Sequence, residues 1–360
     1  VPPPTFCPEC RLQRRLAWRN ERGLYNRKCD KCKTDIISVF SPESPYIVYC
    51  RPCWWADDWD GLEYGVDFDP EKPFFLQFDE LLKRTPVMAL FGLYQTLENS
   101  DYVNMASYLK NCYLLTHSDK TEDSLYGSML SSSKNCVDNL MLFQGERCYE
   151  TVNCQKCYRT LFSVDCESCV AVWFSRSCVG CSNCFGCVNL RNKQYHIFNT
   201  PYLKKEYEQK LAEFGLDSLA LLARHKERAK SFWGKFPQKY IHERHNSGVS
   251  GDYLYNSKNA RDSFVGYDVE DSRFCSLVTP GRTTNVYDFT HYGIAADLMY
   301  ETLQCGNQSA RIRFSWFVLS NSYDVDYGIF AIGCRNIFGS VSLKKREYCI
   351  LNKQYTKEEY

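Results

Sequence analysis

The stretch Cys154-Gln155-Lys156-Cys157-Tyr158-Arg159-Thr160-Leu161-Phe162-Ser163-Val164-Asp165-Cys166-Glu167-Ser168-Cys169 decides the fold, because its pattern returns. Cys154, Cys166 and Cys178 recur at a step of twelve, as do Cys157, Cys169 and Cys181, and upstream Cys112, Ser124, Cys136 and Cys148. The change of register from Cys148 to Cys157 is nine, so separations of 21 recur, as from Cys136 to Cys157 and from Cys148 to Cys169. Short β-prone runs such as Val170-Ala171-Val172-Trp173-Phe174 alternate with Asn, Ser, Asp and Gly. Strand, turn and strand at a fixed period, with no helical periodicity, predict a β-solenoid. A coil of about 21 residues, stacked about 4.8 Å above the last, gives four or five coils per block.

Outward from this stretch the chain repeats itself on a larger scale. Phe185–Tyr207 aligns without gaps on Phe338–Tyr360, with 11 of 23 positions identical at an offset of 153. Upstream, Asp101-Tyr102 followed by Lys110-Asn111 echoes Asp252-Tyr253 followed by Lys258-Asn259. Two homologous modules follow from this self-similarity. At the constant offset, Cys157 meets Ala310, Cys166 meets Leu319, Cys169 meets Ser322, Cys178 meets Ala331, Cys184 meets Ile337 and Cys187 meets Ser340; Cys181 alone in this set meets a cysteine, Cys334. Small or apolar residues replace cysteine, as at an inward packing position. A core ladder is therefore favoured over additional metal ligation or disulfides for the solenoid cysteines.

Helix signals lie between and before the modules. Thr200-Pro201 supplies an N-cap and a first-turn proline for a helix running through Tyr207 and Leu211 to Gly215. A second helix is expected from Asp217 to about Trp233. A third, over 73–85, carries Phe74, Phe75, Phe78, Leu81 and Leu82 and is suited to cover the first solenoid coil.

Composition bounds the function. The 360 residues hold 44 Lys+Arg and 43 Asp+Glu, so the net charge of +1 supplies no global field for nucleic acid, and only a local patch could bind it. No apolar run approaches the roughly 18–20 residues of a membrane helix, which excludes integral insertion for this stretch of chain. The first residue is Val1 and the last, Tyr360, lies in a charged helix-like run, so the chain is read as a section of something longer.

Three Cys-x-x-Cys pairs stand in the first 53 residues. Cys29/Cys32 and Cys50/Cys53 follow the pattern C-x2-C-x17-C-x2-C, a zinc-ribbon spacing. Each tight turn aims two thiolates at one ion, and four thiolates leave no open position, so the zinc is expected to be structural. Cys7/Cys10 reads as half of another such site, with a disulfide or free thiols as the alternative. Trp54, Trp55 and Trp59 follow the last pair and are read as completing its small core. His242 and His245 lack a zincin spacing and are read as surface residues.

Residues 1–33 carry nine Lys/Arg against three acids. Arg11, Arg14, Arg15, Arg19 and Arg22 are the candidate nucleic-acid contacts, with Trp18 and Tyr25 able to stack on bases. Residues 54–80 carry nine acids and one Lys, so the same strip is equally suited to pairing within the chain.

Phe6-Cys7-Pro8-Glu9-Cys10-Arg11-Leu12-Gln13-Arg14-Arg15-Leu16-Ala17-Trp18-Arg19-Asn20-Glu21, with Phe185-Gly186-Cys187-Val188-Asn189-Leu190-Arg191-Asn192-Lys193 far downstream, resembles the "probable zinc-ribbon domain" proteins of candidate phyla radiation bacteria. The resemblance implies zinc ribbons followed by Cys-rich repeats, with the partners of Cys7 and Cys10 upstream. It implies no activity, and the cysteine-poor second module departs from its pattern.

The expected organisation is a zinc-ribbon region at 1–60 with its first ribbon partial, and an acidic linker with a capping helix at 61–97. A Cys-rich β-solenoid module at 98–200, a helical connector at 201–245 and a second solenoid module at 246–360 complete it. The fold class is mainly β. The expected function is a non-enzymatic, zinc-stabilised scaffold offering a Tyr-, Asn- and Ser-rich face to a protein partner or to copies of itself. Zinc thiolates favour a reducing compartment, the cytoplasm. The alternatives are nucleic-acid association through the arginines, and a carbohydrate-active β-helix with Asp262, Asp268, Asp324 and Asp326 on one face.

Overall fold

The computed structural model describes residues 3–18, 20–21 and 23–360. The chain forms two compact units: residues up to Ala89 together with Lys239–Tyr360, and Leu90–Gln238. Each contains one β-solenoid module, so the fold is mainly β, with the helices at its margins.

The coil is shorter than the recurring cysteine separations suggest. In the first module, strands pair in parallel at an offset of 12: Leu140 with Val152, Leu142 with Cys154, Val170 with Ser182. The number of coils per module is therefore nearly double the four or five expected. The reason is a three-residue unit. Tyr108, Asn111, Leu114, His117, Lys120 and Asp123 all have positive φ between 47° and 52°, and the residue after each of them is buried. Every third residue turns the corner, the next points inward and the third bridges to the neighbouring coil, as Tyr158 does to Val170 and Leu161 to Trp173. Four such units make one coil. Cys-x-x-Cys here marks two adjacent corners, a step of 12 marks the same corner one coil on, and a step of 21 marks the preceding corner two coils on.

Left-handed backbone at so many non-glycine residues is unfavourable one residue at a time. Hydrogen bonds between coils offset it. The Lys156 amide, at a corner, donates to Phe143 O (2.8 Å), and the bridging Tyr158 amide donates to Cys169 O (2.9 Å). The third amide of the unit points into the lumen, where side chains can also accept it. Inward serines and asparagines take it: Ser163 Oγ accepts from Ser175 N (3.1 Å), Ser175 Oγ from Cys187 N (3.0 Å), and Asn139 Oδ1 from Thr151 N (3.0 Å). Inward thiols donate instead, Cys169 Sγ to Glu167 O (3.3 Å) and Cys178 O (3.4 Å). This lumen mixes Leu109, Leu115, Leu130 and Leu142 with small residues, and its backbone groups favour small side chains with one polar atom where they face them. That is why cysteine alternates with Ser, Thr and Asn.

A core ladder requires inward cysteines, and all eleven of this module are buried, none more than 3% exposed. Its residue pairing needs one correction. Coils of the second module vary in length: Arg335 pairs with Glu347 at an offset of 12, Val286 with Met299 at 13 and Val269 with Thr283 at 14. Extra corner residues at Ile294/Ala295, Asn307/Gln308 and Ser320/Asn321, both members at positive φ, account for the offset of 13. The constant offset of 153 therefore fails upstream of this last pair. Cys166 corresponds to the buried Val318 rather than Leu319, and Cys157 to the buried Ser309 rather than Ala310. Larger side chains such as Val286, Phe289, Met299 and Ile312 fill this second lumen.

The segment repeated in the sequence is the C-terminal closure of each module. Gln194–Ile197 pairs antiparallel with Thr200–Pro201, and Glu347–Ile350 with Lys353–Gln354. Thr200-Pro201 is thus part of this hairpin, not the N-cap expected. The helix that follows, α4, runs from Lys204 to Ala212, and α5 from Leu219 to Trp233. Both pack on Phe174, Phe185, Val188 and Ile197 at the end of the first module. The helix expected at 73–85 is α3, Phe74–Arg84. Its Phe74 lies 4.7 Å from Phe338 and 5.2 Å from Tyr327, so it covers the last coils of the second module and not the first coil as expected.

Candidate metal centre

Tyr25–Lys28 (β1) and Asp35–Ser38 (β2) form an antiparallel hairpin with Tyr25 opposite Ser38. Its tip carries Cys29 and Cys32. The Lys33 amide donates to Cys29 O (3.0 Å), the Cys29 amide to Thr34 O (2.9 Å), and Lys33 takes a φ of 63° to close the turn. The second pair opens the short helix Arg51–Trp55 (α2; α1 is Pro8–Ala17), with Cys50 as its N-cap and Pro52 in its first turn. Trp54 N donates to Cys50 O at 2.8 Å. Asp30 joins the two halves, its amide donating to Val48 O (2.9 Å) and its carboxylate accepting from Val48 N (2.6 Å).

The ligand atoms of Cys29, Cys32, Cys50 and Cys53 all lie within 4.8 Å of one another, and this is the sole group of three or more potential ligands to converge in this way among the described residues. Cys32 Sγ and Cys50 Sγ are 3.8 Å apart. A tetrahedral ion with metal–sulfur bonds of about 2.3 Å has edges of about 3.8 Å, which the Cys32–Cys50 separation matches, and the four sulfurs are close enough to share one ion. The Cys50 amide also donates to Cys29 Sγ at 3.3 Å.

The four thiols are not equivalent. The Thr34 hydroxyl, 3.0 Å from Cys32 Sγ, draws that thiol down to about 6, while burial pushes Cys50 and Cys53 up. A cation is what lets all four ionise together. An ion held by all four sulfurs would have no position open for a water or a substrate.

The aromatic run after Cys53 completes the core of this region. Trp54 is fully buried and Trp59 nearly so, their rings 6.0 Å apart, and Trp59 Nε1 donates to Cys53 O (3.0 Å).

Cys7 and Cys10 are both exposed and start α1 as Cys50 and Cys53 start α2. Cys7 has φ −64° and ψ 161°, Cys50 −61° and 163°, and Arg11 N donates to Cys7 O at 3.0 Å. No third or fourth ligand joins them among the described residues.

Of the five candidate arginines, Arg11 and Arg15 are buried. Arg11 Nε lies 2.6 Å from Asp288 Oδ2, and Arg15 donates to Thr290 Oγ1 (2.7 Å) and reaches Asp288 Oδ1 at 3.4 Å. Arg14 is half-exposed and pairs with Glu301. The acids that pair with Arg11, Arg14 and Arg15 thus come from the second module, whereas Lys31 of the same strip pairs with Asp58 of the acidic stretch at 54–80. Arg19 and Arg22 lie outside the described residues. His242 faces Asp252 (3.1 Å), and His245 is exposed. Asp324 and Asp326 are held by Arg311 and Arg313, Asp268 accepts from Asn256 Nδ2 (3.3 Å) and Asp262 from Ser250. These are ladder contacts between successive coils.

Fold and site define a class: a β-solenoid protein bearing a four-cysteine cluster able to hold a metal ion. No protein-family model matches the chain, and no curated protein is recognisably similar to it.

Proposed function

We propose that the chain is a non-enzymatic, zinc-stabilised β-solenoid that presents rows of outward side chains to a protein partner or to a second copy. Tetrahedral four-thiolate coordination suits zinc. Thiolate ligands need a reducing compartment, which favours the cytoplasm. No described helix is long and apolar enough to cross a membrane.

The observation that carries the reading is the twelve-step register itself, which stacks outward residues into rows. Lys110 pairs with Glu98 (2.8 Å) and Lys134 with Glu122 (2.8 Å), so one edge reads Glu98, Lys110, Glu122, Lys134 in alternating charge. Tyr102, Tyr113 and Tyr126 form a neighbouring exposed aromatic row, with centroids 5.3 and 5.7 Å apart. Regular rows of this kind give solenoids their extended binding surfaces. The test is mass measurement of the purified protein by light scattering, with quantified crosslinking. Association that weakens in Tyr113→Ala/Tyr126→Ala supports the reading; a monomer that crosslinks to nothing at cellular concentration contradicts it.

Nucleic-acid binding is the less favoured reading, because Arg11 and Arg15 are buried and already matched by Asp288.

A further inference from the structure

We infer that metal occupancy at Cys29, Cys32, Cys50 and Cys53 controls closure of the C-terminal end of the second solenoid module. The inference rests on the metal reading of that cluster and extends it from local structure to the state of a distant coil.

A solenoid's last coil has no successor, so its backbone groups need other partners. In the second module the hairpin at Lys353–Gln354 supplies some, and residues 54–67 and 86 supply the rest. Val66 N donates to Leu351 O (3.1 Å), Asn352 Nδ2 to Gly61 O (2.8 Å), and Ser342 Oγ to Pro86 O (2.7 Å). The approach is close enough to need glycine: a Cβ on Gly61 would sit 2.6 Å from Ser342 O, and one on Gly65 2.7 Å from Asn352 O.

This covering segment is anchored at the metal ligands. Lys344, in the last coil, extends over both indoles, its Nζ 5.3 Å from the Trp54 ring and 5.0 Å from the Trp59 ring. The same ammonium donates to Trp54 O (3.1 Å) and Ala56 O (3.3 Å). Arg346 pairs with Asp60, and Lys353 with Asp67. The structural path is therefore from Cys53 to Trp54, from Trp54 and Trp59 to Lys344, and from Lys344 to the coil. A helix as short as α2, Arg51–Trp55, does not persist unaided. The ion that fixes Cys50 and Cys53 fixes the carbonyls that hold Lys344. By linkage, whatever loosens the cap weakens metal binding by the same factor.

The experiment is hydrogen–deuterium exchange on the complete chain with zinc bound, after chelation, and after zinc is returned. Peptides covering 25–53, 54–67 and 337–354 are compared with those of 140–199. The expected result is exchange at least tenfold faster in all three regions after chelation, reversed by zinc, with 140–199 unchanged. Lys344→Met is expected to weaken zinc several-fold in competition with a chromophoric chelator, and Arg346→Gln, a milder cut at the cap's edge, to do so less. Faster exchange at 25–53 with 337–354 unchanged would leave the metal site standing and overturn the linkage, as would equal loosening across both modules. A chain that binds no zinc removes the metal reading and the inference together.

Discussion

Asn352 Oδ1 accepts the amide of Val341 at 2.7 Å, and Asn199 Oδ1 accepts that of Val188 at 2.9 Å: one bond, made once at the end of each module. Both asparagines have a φ of 62° and both return an Nδ2 hydrogen bond to the same residue's carbonyl. The repeat at the C-terminal end of each module is thus a closure device, and Asn serves it because it tolerates left-handed backbone while replacing the missing coil's hydrogen bonds. Asn352→Gly keeps the backbone and removes the bonds. It is expected to destabilise the second module by about 1–3 kcal/mol in urea unfolding, the cost of buried groups left unpaired. An unchanged midpoint would show that the asparagine does not close the coil.

The lumen predicts an asymmetry among substitutions at Cys169. A serine hydroxyl can donate to the same two carbonyls, so Cys169→Ser is expected to shift stability by less than about 1 kcal/mol, whereas Cys169→Leu overfills the lumen at about 1–3 kcal/mol. Metal content stays the same in both. Denaturation curves beside metal analysis check this, and loss of metal from Cys169→Ser would reopen the question of a second centre.

Arg11 and Asp288 are both buried, with side-chain exposures of 5% and 1%. Removing one partner strands a charge, so Arg11→Met is expected to cost about 3–5 kcal/mol, and the double variant Arg11→Met/Asp288→Leu less than the sum of the two single losses, since it still leaves Arg15 without Asp288. Arg15 also reaches Asp288 and keeps the single variant toward the lower end. A double-mutant cycle measures the coupling, and additive losses would contradict it.

Alkaline pH should weaken the second module. Burial pushes the thiols of Cys275, Cys305 and Cys349 up to about 12 and that of Cys334 up to about 11. Below the ordinary thiol value of about 8.5, folded and unfolded chains hold these protons alike. Above it the unfolded chain releases protons that the fold retains, so stability falls as pH rises toward the folded values, by at most about 1.4 kcal/mol per pH unit for each thiol. Urea midpoints at pH 8.0 and 9.5 read this directly. Replacing the four cysteines by serine should flatten the slope, and an unchanged slope would assign it elsewhere.

Much of this was legible in the residues. The four-cysteine spacing located the metal cluster, since ligand geometry tolerates little variation. The step of twelve and the long-range duplication located the modules. The coil length was misread because cysteine marks four corners interchangeably: the separations of 21 seemed to be one circuit when Cys-x-x-Cys was already the repeating unit. The triplet is legible in the apolar residues at every third position, from Val103 through Ala106, Leu109, Cys112 and Leu115. The partners of Arg11 and the site covered by Phe74 were beyond reach, because both depend on which coil the N-terminal segment lies against, and no local pattern encodes that.

On this reading four cysteines hold an ion and the solenoid cysteines form a core. Metal analysis of the purified chain, beside Cys50→Ser/Cys53→Ser and Cys166→Ser/Cys169→Ser, tests it most directly. The predicted result is one zinc per chain bound at this cluster, lost in the first variant and kept in the second. Retention of the ion without Cys50 and Cys53, or its loss with Cys166 and Cys169, would contradict it.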